Sequence, residues 1–286
     1  MTARSFLFVP ADSERKLARS LDSGADAVIL DLEDSVAPAN RPAARRLALD
    51  FLKAHAGERI RRYVRINPLN SGFALDDLAA TVSGRPDGIL LPKCLPDDLR
   101  TLDHYLAAFE TAAGVPLGAI RVVAIATETP QAVFALGHYA GVSARLEAIT
   151  WGAEDLAACL GGNNRRSDGR YDGPYTLARS LCLLAAGAAG VAALDTIYTD
   201  FKDPDGLAAE CAAARRSGFV GKMAIHPAQL AIINDAFSVS AEERAWAERV
   251  VAAFAANPDA GTLALDGKMI DKPHLVLARR LLGLPP

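Results

Sequence analysis

The sequence predicts an α/β protein, a closed (β/α)8 TIM barrel followed by a small C-terminal helix–hairpin–helix subdomain. Three observations carry that expectation. Eight short β-rich runs lie along the first four-fifths of the chain, each is followed by a helical pattern, and the alternation stops after about Ser238. Strands alternating with helices imply βαβ units and a parallel sheet, and eight such units suit a closed barrel.

The runs are residues 5–9, 27–30, 63–66, 88–91, 122–126, 148–151, 191–194 and 221–225. Ala/Leu/Arg-rich helical stretches at 14–20, 42–54, 75–82, 96–113 and 130–139 fall between them. The longest apolar run, "LCLLAAGAAGVAAL" at 181–194, is shorter than the ~18 residues a membrane helix needs and holds two internal glycines. It reads as a buried helix passing through Gly190 into a strand. An open doubly-wound sheet is the competing arrangement. It has no Rossmann fingerprint or P-loop to support it, and "GGNNRR" at 161–166 has the spacing of neither. Beyond Ser238, "SAEERAWAERVVAAFAANP" predicts an amphipathic helix whose Ser240 stands three residues before Glu243, a capping-box spacing. "TLALDGKMI" alternates around Asp266-Gly267, the signal of a type I′ hairpin, and a last helix is expected over 272–282. The expected domains are therefore 1–238 and 239–286.

Composition agrees with one large soluble core. The chain has 286 residues, a length open to two domains or to a single α/β barrel, and 51% of them are hydrophobic. A net charge of -3 offers no broad surface for nucleic acid or membrane. Cys94, Cys159, Cys182 and Cys211 form no C-x-x-C pair, which argues against a zinc site or disulfide framework and fits a reducing cytosol. The N-terminal apolar stretch is too short for a signal peptide, so a cytoplasmic location is expected.

In a barrel, catalytic groups project from the carboxyl ends of the strands. The predicted strand ends carry Asp31, Glu33 and Asp34, then Arg65 and Asn67, Lys93, Glu128, and Gly152 with Glu154 and Asp155; Asp195, Tyr198 and His226 follow. Asp31 and Asp155, like Asp12 after the first run, equally suit turns or helix caps. An acid-rich ring interrupted by Arg65 and Lys93 is better explained as a site. Carboxylates from two strands, with room for water, suit a hard divalent cation such as Mg2+. Glu128 and Asp155, on consecutive strand ends, are one such pair; Asp31 and Asp34 are the alternative. Histidine is scarce and lacks ligand spacing, which disfavours zinc.

"RSFLFVPADSERK", "LDLEDSV", "VRINP", "LLPK", "TETPQAV", "WGAEDLAA", "LDTIYTDFKD", "GFVGKMAIHPAQ" and "DGKMIDKP" occur in this order over about residues 4–282. The chain thereby resembles the citrate lyase beta subunit-like proteins, which include malyl-CoA and citramalyl-CoA lyases. The resemblance implies a (β/α)8 barrel, Mg2+ dependence, coenzyme A as part of a thioester substrate, a 2-oxo acid site and a homotrimer. It implies Glu128 and Asp155 as metal ligands, and Arg65, Glu128, Gly152 and Ala153 as contacts to the oxo acid. Arg15, Arg19, Ile225 and His226 match positions that contact coenzyme A; the two arginines lie one helical turn apart, on one face. Asp271 matches the acid/base that the tail supplies, typically to a neighbouring subunit. Phe8 stands where several members have Tyr, and Cys94 where an apolar residue is common.

The reaction so implied is reversible carbon–carbon cleavage of a 3-hydroxyacyl-CoA to an acyl-CoA and a 2-oxo acid. The alternatives are a pyruvate aldolase acting without coenzyme A, a beta subunit that works on a carrier-bound acyl group, and a thioesterase. Within "VILDLEDSVAP", Asp31 is expected to anchor the loop. Glu33 and Asp34, with Lys93, are expected to form an outer shell around the metal site.

Overall fold

The computed structural model describes residues 3–285, and the chain divides after Phe237 into two compact units. In the first unit, the predicted runs become eight parallel strands that pair in chain order and close, β1 against β8. In sequence the elements are β1 (Ser5–Pro10), α1 (Glu14–Leu21), β2 (Ala27–Asp31), α2 (Arg41–Ala54), β3 (Arg61–Arg65), α3 (Ala74–Thr81), β4 (Gly88–Leu91) and α4 (Pro96–Ala113). There follow β5 (Arg121–Ile125), α5 (Pro130–Ala135), β6 (Leu146–Thr150), α6 (Ala153–Leu160), α7 (Gly173–Ala189), β7 (Ala192–Asp195), α8 (Pro204–Ser217), β8 (Gly221–Ala224) and α9 (Leu230–Ala236). The barrel expectation holds.

Strand side chains alternate between two surfaces. Phe6, Ile29, Tyr63, Leu90, Ile125, Leu194 and Met223 belong to one buried cluster, which fills the barrel. The alternate residues, such as Leu7, Val28, Leu30 and Val64, pack in a second cluster with helix residues such as Leu17, Ala48, Leu78 and Leu102. This parity decides what each strand end can present. Asp31 is two residues beyond Ile29, and Arg65 two beyond Tyr63, so both point inward at the top. Asp195 directly follows Leu194 and falls on the outer side.

Most helix starts follow from local chemistry. Proline occupies the first turn of α2, α4, α5, α7 and α8, where its missing N–H costs nothing. α7 ends at Gly190 with φ 69°, and β7 begins two residues later, as the apolar run at 181–194 suggested. The single helix expected over 130–139 is shorter. α5 starts on a Thr129 cap, stops at Ala135 and tightens into a 3₁₀ turn, Leu136–His138, where Gly137 has little helical preference. β6 is followed by two helices, joined by an arm in which Arg165 and Tyr171 form an isolated bridge.

The second unit holds α10 (Ala241–Ala256), β9 (Thr262–Leu265), β10 (Lys268–Asp271) and α11 (Lys272–Leu281). Ser240 and Glu243 exchange capping bonds, Glu243 N–H to Ser240 Oγ at 3.1 Å and Ser240 N–H to Glu243 Oε2 at 2.8 Å. Asp266 and Gly267 both have positive φ, 49° and 73°, as a type I′ turn requires. Ala247, Val250, Phe254, Ile270 and Ala278 form its core. Among the described residues, no helix is long and apolar enough to cross a membrane.

Candidate active site

Register builds the first part of the site. Asp31 and Arg65 are partners across the β2–β3 ladder, and both face inward. Arg65 grips Asp31 with two bonds of 2.7 Å, Nε to Oδ1 and Nη2 to Oδ2. The same carboxylate accepts the amides of Glu33 (3.0 Å) and Ser35 (3.2 Å), which bends the chain directly after the strand. Burial opposes the charge on Asp31, but the guanidinium and these donors outweigh it and hold the carboxyl below its usual range. The Phe8 ring lies under the Arg65 guanidinium at 4.8 Å.

Glu33 joins this pair to β4. Its Oε2 is 2.9 Å from Arg65 Nη1, a contact of charge without hydrogen-bond alignment, and its Oε1 accepts from Lys93 Nζ at 2.7 Å. Burial nevertheless raises the Glu33 carboxyl, against Arg65 and Lys93. Asp34 is exposed and stands 3.8 Å from Lys93 Nζ. Lys93 reaches on to Asp155 Oδ1 at 3.2 Å, and its backbone N–H donates to Glu128 Oε2.

Glu128 is 2% exposed. Burial, and then the charge of Asp155, push its carboxyl up to about 8, although the Lys93 amide favours the ionised form. A Cβ on Gly152 would lie 2.6 Å from Glu128 Cγ, so only glycine allows this approach. The Gly152 amide donates to Thr127 Oγ1 at 3.0 Å, locking β5 to the start of α6. Ala153 opens α6, and Asp155 lies in its first turn.

This arrangement fits a hard divalent cation. Two carboxylates, one of them buried and reluctant to ionise alone, converge where no other side chain can fill the space at Gly152. Among the described residues no group of three or more His, Cys, Asp or Glu could hold a metal. A two-carboxylate site suits magnesium, which keeps several positions for water and substrate. The alternative pair loses its case, because Asp31 is spent on Arg65 and two backbone amides.

A family model described as HpcH/HpaI aldolase/citrate lyase matches residues 4–227. The chain belongs to this family. It is 37% identical to a (3S)-malyl-CoA thioesterase of Cereibacter sphaeroides over 98% of this chain and 93% of that protein. It is 35% identical to the citrate lyase subunit beta of Escherichia coli, over 99% of this chain and 93% of the relative. A crystal structure of CitE from Mycobacterium tuberculosis in complex with magnesium, acetoacetate and coenzyme A superposes with a TM-score of 0.77. The two are 35% identical, over 98% of this chain and 97% of that one. Membership in the HpcH/HpaI aldolase/citrate lyase family makes the chain a lyase- or aldolase-type enzyme.

The other residues singled out in the sequence stand apart. Arg15 and Arg19 are exposed on α1, which starts just beyond the carboxyl end of β1. His226 caps a 3₁₀ turn: its Nδ1 accepts from Ala228 N–H at 3.2 Å and its ring stacks on Phe201 at 4.9 Å. Ile225 beside it is 38% exposed. In the second unit Asp271 is the N-cap of α11, with Oδ1 2.5 Å from His274 Nδ1, and this imidazole holds its carboxyl below the usual range. Asp195 is not part of the inward ring. Its carboxylate is fully buried outside the barrel, bonded to Trp151 Nε1, Arg179 and Lys222. Thr127 and Phe201 went unnoticed in the sequence; the inward parity of β5 points to the first, and nothing local points to the second.

Proposed function

We propose that this protein is a Mg2+-dependent carbon–carbon lyase that cleaves, and in reverse forms, a 3-hydroxyacyl-CoA such as malyl-CoA, citramalyl-CoA or citryl-CoA. The products are an acyl-CoA and a 2-oxo acid. The observation that carries the reading is the buried Glu128 carboxylate, paired with Asp155 and packed against Gly152. Glu128 and Asp155 would hold the metal, which when bound supplies a Lewis acid for the hydroxyl and carboxylate oxygens of the oxo-acid half.

The chain's own groups divide the remaining work. Arg65 is pre-set by its two bonds to Asp31 and needs no reorganisation to meet negative charge on substrate oxygens. The amide end of α6 at Ala153 offers further donors to a carboxylate. Gly152 serves by its missing side chain, because its amide is already held by Thr127. In the condensing direction Asp271, ionised beside His274, takes a proton from the acyl-CoA methyl carbon; in the cleaving direction the protonated carboxyl returns it. Arg15, Arg19, Ile225 and His226 would bind coenzyme A, and Glu33, Asp34 and Lys93 would surround the metal pair. Assembly as a homotrimer, with Asp271 delivered to a neighbouring subunit, belongs to the same proposal and rests on the family resemblance.

A panel of acyl-CoAs and oxo acids, assayed for Mg2+-dependent condensation, tests this. Activity should appear for at least one pair and vanish in Glu128→Ala and Asp155→Ala. Survival of activity in both variants would overturn the metal assignment. A second reading, hydrolysis of the thioester, is supported by the relatives named (3S)-malyl-CoA thioesterase. It predicts free coenzyme A and a hydroxy acid instead.

A further inference from the structure

Lys93 touches both carboxylates of the proposed metal pair, one through its backbone and one through its side chain. The backbone is left-handed, φ 49°, a conformation a lysine holds only when its surroundings impose it. Those surroundings lie on its C-terminal side. Cys94 N–H donates to the Ile125 carbonyl at 3.1 Å, the Tyr139 hydroxyl donates to the Cys94 carbonyl at 2.5 Å, and Leu95 N–H donates to Asp98 at 2.9 Å. Turned this way, the Lys93 amide faces Glu128. Its ammonium crosses to Glu33 Oε1 at 2.7 Å and Asp155 Oδ1 at 3.2 Å, with Asp34 at 3.8 Å.

The three carboxylates differ in kind. The Glu33 side chain is only 3% exposed and makes the shortest contact, so it is the anchor. Asp155 is one-third exposed and makes the longer one. An ammonium and a divalent cation on the same carboxylate repel each other, and each weakens the other's binding. We infer that Lys93 is an internal counter-ion that competes with the metal for Asp155 and thereby sets how loosely the metal is held. When a divalent cation takes Asp155, the Glu33 anchor keeps the ammonium beside the site. Its positive charge then remains available to the carboxylate of an arriving oxo acid. Glu128 stays aimed by the Lys93 amide in either case, a bond that no side-chain substitution removes.

This inference rests on Glu128 and Asp155 being the metal pair, so the test separates the two claims. Mn2+ binding, without substrate, is measured by electron paramagnetic resonance for the full chain and for Lys93→Met, Lys93→Gln, Lys93→Arg and Glu128→Gln. Both neutral variants should bind Mn2+ on the order of tenfold more tightly than the parent, and Lys93→Arg should restore the parent affinity. Lys93→Gln serves where Lys93→Met does not fold. Equal or weaker binding in the neutral variants overturns the competition. Unchanged binding in Glu128→Gln overturns the metal pair itself, whatever the lysine variants do.

Discussion

Replacing Glu128 by glutamine tests the electrostatics of the buried pair without changing its shape. A glutamine oxygen can still accept from the Lys93 amide and still fits against Gly152. What disappears is the ionisation. In the folded chain the carboxyl titrates at about 8, raised by burial and by Asp155, whereas its ordinary value is 4.5. Below the ordinary value both folded and unfolded forms carry the proton, and ionisation costs folding nothing. Between pH 4.5 and about 8 the unfolded chain releases the proton and the folded chain keeps it, so stability falls as pH rises. At pH 7 the gap is about 2.5 pH units, and at about 1.4 kcal/mol for each this amounts to about 3 kcal/mol. Urea unfolding in EDTA, followed by circular dichroism, should therefore find parent and variant equally stable near pH 4.5. The variant should be ahead by about 3 kcal/mol at pH 7. Mg2+ should stabilise the parent increasingly with pH, because binding requires loss of the same proton, and should do little for Glu128→Gln. Parallel pH curves for the two proteins would mean that the buried Glu128 carboxyl is not the group that loses its proton late.

Asp31→Asn removes the carboxylate that holds the buried Arg65 guanidinium by two bonds, leaving Glu33 as its close charge, and should cost about 3 kcal/mol of stability in the same unfolding assay; a change under about 1 kcal/mol would remove Asp31 as the anchor of that arginine. Asp195→Ala leaves the fully buried Lys222 with Glu210 alone and removes the acceptor of Arg179 and of the Trp151 indole, and should destabilise by about 3–5 kcal/mol. In the parent, Asp195 is held down to about 2, so the stability it contributes is present above its ordinary 3.8 and is lost as pH falls towards 2; an acid titration of thermal unfolding checks this. Mixing Asp271→Ala with Arg65→Ala protein should restore part of the activity that each lacks alone if the acid/base crosses between subunits, and no recovery would count against delivery of Asp271 to a neighbouring subunit.

Features written in local chemistry were legible in the sequence. The eight strands, the Ser240–Glu243 capping box and the Asp266-Gly267 turn each depend on residues within a few positions of one another. What depends on register or on distant partners was not. The Asp31–Arg65 grip requires knowing that residues 34 positions apart face each other across β2 and β3. The outward placement of Asp195 was not legible either, because the strand-end rule says nothing about parity; one residue earlier or later it would have pointed into the barrel. The Phe201–His226 stack joins two loops that no spacing relates. The acids of "VILDLEDSVAP" tolerate their proximity for a reason visible only in three dimensions. Asp31 is neutralised by Arg65, Glu33 lies between Arg65 and Lys93, and Asp34 is left in solvent.

On the proposed reading, the Glu128–Asp155 face breaks a carbon–carbon bond rather than a thioester. The most direct measurement is a product balance on malyl-CoA and citramalyl-CoA with Mg2+, separating acyl-CoA, oxo acid, hydroxy acid and free coenzyme A by chromatography. Lyase chemistry gives acetyl-CoA with an equal amount of glyoxylate or pyruvate, abolished in Asp155→Ala. Free coenzyme A with malate or citramalate, and no oxo acid, would contradict it.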